Sequence, residues 1–75
     1  MKIPRDIGGE DLVRLLSAYG YAISRQTGSH MRLTSSFKGA QHHVTIPRHT
    51  TLKIGTLNSI LKDVAAYLEI DRQQL

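Results

Sequence analysis

His30 follows Gly28-Ser29 directly and stands two residues before Arg32. An imidazole moves protons near neutral pH, and a guanidinium offers a planar fork of N–H donors that fits a phosphate. Their spacing on a short segment suits acid–base chemistry on a phosphate ester. A second group lies downstream, where Arg48, His49 and Lys53 precede Gly55-Thr56. If Gly55-Thr56 opens a helix, its free N–H groups attract phosphate oxygens, and Lys53 can close on the same anion. The plainer alternative is that Gly55 and Thr56 only start the helix and Lys53 is solvated. Surface histidines also need no function, so each of the four histidines has a solvated reading beside the chemical one. His42 and His43 are neighbours in an extended pattern and point to opposite faces, which does not suit one metal ion. Four histidines without nearby carboxylates make a poor zinc set, so no metal and no cofactor are expected.

The charge distribution favours the same chemistry. The chain has 75 residues and a net charge of +4, yet every carboxylate side chain lies near one end. Asp6, Glu10 and Asp11 come first and Asp63, Glu69 and Asp71 last; between Leu12 and Lys62 there is none. A stretch of one sign can approach a polyanion without repelling it. With no cysteine, disulfides, thiolate zinc sites and cysteine nucleophiles drop out. No apolar run approaches the roughly 18 residues that span a bilayer, and residues 1–10 lack a signal-peptide core. The expectation is one cytoplasmic domain over residues 1–75 with no membrane partner.

The elements that must carry these side chains follow from periodicity. Leu12, Leu15, Leu16 and Tyr19 recur at i, i+3, i+4 and i+7, predicting a helix from about Gly9 to Tyr19 with Gly20 as its left-handed stop. From Tyr21 the period becomes two. Tyr21 to Gln26 reads as a strand with Tyr21 and Ile23 on one side, and Arg25 shares their parity, so it is expected on the inner side or at the strand end. Thr27-Gly28-Ser29 reads as a turn in which Gly28 supplies a positive φ. His30 to Thr34 alternates, with Met31 and Leu33 inward and His30, Arg32 and Thr34 outward. A polar loop through Ser35, Ser36, Lys38 and Gly39 then leads to a strand from His42 to Ile46, ended by Pro47. His43 and Thr45 point outward there.

Leu57, Ile60, Leu61, Val64, Ala65 and Leu68 form the strongest helical stripe, with Thr56 as N-cap or first-turn residue. Asp71 and Gln74 form a capping pair for a last turn. Tyr19, Tyr21, Phe37 and Tyr67 are expected in the core or at its rim. The fold class is α+β, with two helices on one face of a three-stranded antiparallel sheet and the other face open.

Three ordered blocks carry a resemblance. Gly28-Ser29-His30 after a strand, then Ile46-Pro47-x-His49, then Gly55-Thr56-Leu57-x-x-Ile60-Leu61-Lys62, resemble the HicA (YcfA-like) family of mRNA interferase toxins. The front end, with Leu12-x-x-Leu15-Leu16, Gly20-Tyr21 and Arg25-Gln26, is similar too. The resemblance implies an α-β-β-β-α fold like a double-stranded-RNA-binding domain, with His30 as the catalytic histidine of a ribonuclease. It implies a type II toxin–antitoxin pair in which a HicB-type antitoxin covers the site.

The expected activity is metal-independent cleavage of single-stranded mRNA, with His30 as general acid or base and Arg32, Lys38 and Lys53 on phosphate. Ser29, Arg48, His49 and Thr56 complete the expected RNA-contacting set. The alternatives are a non-catalytic RNA-binding module of the same fold and a subunit that binds only a protein.

Overall fold

The computed structural model describes residues 3–75. Helix α1 spans Gly9–Leu16, carries Glu10 and Asp11 in its first turn and buries Leu12 and Leu16. It tightens into a 3₁₀ turn over Ser17–Tyr19 and stops at Gly20, whose φ of 81° is the left-handed conformation expected of it. Three strands follow, β1 (Ala22–Gln26), β2 (His30–Lys38) and β3 (Ala40–Pro47). They pair antiparallel in the order β1-β2-β3. Helix α2 runs over Ile54–Leu68, and a second 3₁₀ turn spans Arg72–Gln74.

One face of the sheet makes the core. Met31, Leu33, Val44 and Ile46 are buried from the strands, with Tyr21 just ahead of β1. Against them pack Leu12 and Leu16 of α1, Leu57, Ile60, Leu61, Val64 and Leu68 of α2, and Leu52 of the connecting loop. Both helices therefore lie on one side of a three-stranded sheet, an α+β fold of the double-stranded-RNA-binding-domain kind. The alternation of β2 leaves His30 and Arg32 exposed and Thr34 half exposed on the opposite face.

Several local expectations are corrected. The segment read as a polar loop is strand, since β2 continues to Lys38 and turns at Gly39, with φ 93°, straight into β3. Ser35 continues the inward alternation; its hydroxyl donates to the Tyr19 carbonyl at 2.9 Å and accepts from the Phe37 N–H at 3.1 Å. A buried serine with both roles filled is compatible with a core strand, although its polarity resembles a loop. Phe37 is 62% exposed beyond it and is no core residue.

Gly28 does not adopt a positive φ. The turn is held by Thr27 instead, whose N–H donates to the His30 carbonyl at 2.9 Å while its hydroxyl accepts from the His30 N–H at 3.1 Å. Lys53 is the N-cap of α2, and Thr56 lies in the first turn, the second of the two places expected for it. Asp71 and Gln74 make the expected capping box.

Candidate functional site

The open face is organised in rows across the strands. His30 stands opposite Pro47, Arg32 opposite Thr45, and Thr34 opposite His43. On the other side Thr34 faces Ala22 and Arg32 faces Arg25. That last pairing is a correction. A bulge between Ile23 and Arg25 inserts an extra residue, Ser24, into β1 and reverses the parity beyond it. Arg25 thus moves from the inner side to the open face. Ile23 keeps the inner parity opposite Leu33, yet it is 44% exposed at the sheet edge.

His30 opens β2, and its setting is local. The Ser29 hydroxyl lies 2.9 Å from His30 Nδ1. The Arg48 N–H donates to the Ser29 carbonyl at 2.9 Å, tying the turn to the end of β3. With Nδ1 engaged, Nε2 has no partner among the described residues and meets solvent. Farther along the face, the Ser24 hydroxyl lies 2.8 Å from the Thr34 hydroxyl, which lies 2.7 Å from His43 Nδ1. Rows two residues apart on one strand are about 7 Å apart, so along β2 the open face presents His30, Arg32 and Thr34 in succession at that step.

The other expected site residues are divided. Ser29 and Arg32 join His30 on the open face. Lys38 sits eight residues farther along β2, about 26 Å away, and pairs with Glu69 at 3.2 Å. Arg48 donates to Glu10 through its Nε at 3.2 Å and a terminal nitrogen at 2.8 Å. His49 is exposed in the loop after β3, and its carbonyl accepts from the Gly9 N–H at 2.9 Å. Lys53 and Thr56 belong to the start of α2, in the helical layer on the other side of the sheet. Sequence reasoning thus grouped residues that the fold separates into a sheet site and a helix start.

A second cluster went unread. The Tyr21 hydroxyl lies 2.6 Å from His42 Nδ1, and His42 Nε2 lies 3.1 Å from an Asp63 oxygen. The His42 ring stacks on Tyr67 with centroids 4.7 Å apart. Burial, helped by the nearby oxygens of Tyr67 and Asp63, raises the Tyr21 hydroxyl to a pKa of about 12. The signal was present in the parity, because His42 alternates with Val44 and Ile46 and an inward histidine needs partners. Its partner, Asp63, comes from beyond the acid-free segment. Among the described residues no three potential metal-ligating side chains come together.

Comparison with curated proteins and with solved structures returns no match. A family model, the HicA toxin of bacterial toxin–antitoxin systems, matches residues 9–65, which takes in α1, all three strands and most of α2. With the Gly28-Ser29-His30 turn at the head of the open face, the chain belongs to the HicA toxin family and is the toxin of a toxin–antitoxin pair.

Proposed function

We propose that the protein is a metal-independent endoribonuclease that cleaves single-stranded mRNA in the cytoplasm and is silenced by a HicB-type antitoxin covering its open face. The observation that carries the reading is His30 itself, an exposed imidazole whose Nδ1 is held by Ser29 on a face built from strands that contain no carboxylate side chain. His30 Nε2 takes the proton of a ribose 2′-OH as the 2′-oxygen bonds to phosphorus. The bond from phosphorus to the 5′-oxygen breaks, and the imidazolium returns the proton to that oxygen. The phosphate is left as a 2′,3′-cyclic diester, so no atom or proton is unaccounted for. Such acid–base help contributes about 10²- to 10⁴-fold in rate. Arg32, two residues along the strand, holds the RNA backbone beside the reacting phosphate. Ser29 orients His30, and Arg48 and His49 border the site at the end of β3.

The test is a labelled mRNA incubated with wild-type and His30→Ala protein, with and without EDTA. Cleavage by the wild type is expected to survive EDTA and to fall at least 100-fold in the folded variant. Retained cleavage by His30→Ala overturns the catalytic assignment. A gel shift without cleavage by the wild type identifies the non-catalytic RNA-binding module instead.

A further inference from the structure

Arg25 and Arg32 face one another directly across β1 and β2, and both are exposed. Like charges in directly opposed positions of a sheet destabilise it. Three other exposed cations are paired with a carboxylate, Arg48 with Glu10, Lys38 with Glu69 and Arg14 with Asp11. Arg25 and Arg32 have no carboxylate partner among the described residues. The opposition is also not an accident of uninterrupted pairing. It exists because the bulge at Ser24 turns Arg25 onto the open face; without it Arg25 would keep the parity of Ile23. Ser24 is in turn held down, its hydroxyl donating to the Arg32 carbonyl at 3.2 Å and meeting Thr34 at 2.8 Å. The arrangement fixes two arginines at directly opposed positions on one face of the sheet.

We infer that Arg25 and Arg32 form one clamp for a single phosphodiester of the RNA strand, one nucleotide from the phosphate that His30 acts on. The inference rests on the reading of the open face as an RNA site. Arg32 lies two residues from His30, about 7 Å along the strand, which is the reach of one extended nucleotide. Two guanidinium forks on one phosphate make charge-assisted hydrogen bonds, and the bound anion removes the repulsion between them. Thr45, opposite Arg32 on the far side, closes the row with a hydroxyl. The clamp reads backbone and not base, so it sets where a strand lies and leaves its sequence unread.

The experiment measures binding of a short single-stranded RNA, as a function of salt, to the full chain carrying His30→Ala so that no cleavage intervenes. On that background Arg25→Gln and Arg32→Gln are each expected to weaken binding about tenfold at low salt. The double variant is expected to lower the slope of log K against log salt by about 0.7, the value for one phosphate of a single strand. A drop near 1.4 means two separate phosphates and overturns the shared clamp. Lys62→Gln, an exposed cation on α2, controls for net charge; an equal loss there also overturns it. An oligodeoxynucleotide of the same sequence should lose the same factor, and a loss confined to RNA assigns the contact to the ribose and counts against the clamp. In the absence of RNA, the double variant should melt no lower than its parent, since a repulsive pair has been removed. If the His30→Ala parent binds no RNA, the reading of the open face itself fails. If it binds and the arginine variants bind equally well, only the clamp fails.

Discussion

Ser29 and His30 make the smallest unit of the open face, a hydroxyl 2.9 Å from the ring nitrogen Nδ1. A histidine held at Nδ1 presents Nε2 in one orientation, so in the proposed reaction Ser29 is a positioning residue and not a catalytic one. A neutral hydrogen bond of this kind contributes about 1 kcal/mol. Ser29→Ala should therefore lower RNA cleavage roughly fivefold and leave RNA binding unchanged, with Ser29→Thr restoring most of the loss. A parallel fall in binding and cleavage would mean that Ser29 touches the RNA instead. The Gly-Ser-His tripeptide was legible in the sequence. That Thr27, and not a left-handed Gly28, holds the turn was not, because a side-chain hydroxyl bonding to its own turn leaves no periodic trace.

At the scale of elements, α1 is docked by two glycines that permit close backbone approach. A Cβ on Gly9 would collide with the Pro47 carbonyl oxygen, and one on Gly8 would lie 2.5 Å from that of Thr50. Gly9 also donates its N–H to the His49 carbonyl at 2.9 Å. Gly9→Ala should push α1 off the end of β3 and cost about 2 kcal/mol or more, a fall of roughly 10 °C in melting temperature for a domain of this size. Gly55→Ala is the control, since nothing lies within 4 Å of a Cβ there. Both helices and the inward faces of β2 and β3 followed from apolar spacing. The length of β2 did not, because Ser35 is polar and buried, and its bonds to Tyr19 and Phe37 exist only after the chain has turned back on itself. The bulge in β1 escaped for a similar reason: an inserted residue is visible only against a partner strand.

Over the whole molecule, the acid-free middle of the chain is not acid-free in space. Glu10 reaches Arg48, Glu69 reaches Lys38, and Asp63 reaches His42. Folding brings carboxylates from both ends onto the rims and leaves the central rows of the open face cationic. The Asp63–His42–Tyr21 chain links α2, β3 and the start of β1, so its state reports on global stability. Tyr21 holds its proton more tightly when folded, with a pKa of about 12 against 10.0. This contribution to stability is complete below pH 10 and is lost as the pH rises through about 12. Tyr21→Phe should be less stable than wild type at neutral pH, having lost the bond to His42. The gap should narrow between pH 10 and 12 in denaturant titrations, and a gap that stays constant over that range would contradict the assignment.

By itself the sequence determined the helix and strand types, the side of β2 that faces the core, and the tripeptide that delivers His30. These are local properties, set by spacing along one stretch of chain and by the preferences of the residues in it. Tertiary structure alone decided which cations remain unpaired, because ion pairs such as Arg48–Glu10 join residues far apart in the chain. It also decided that Arg25 meets Arg32, since register is a relation between two strands and one extra residue reverses every side chain beyond it. A pattern read along one strand carries its alternation but not its partner.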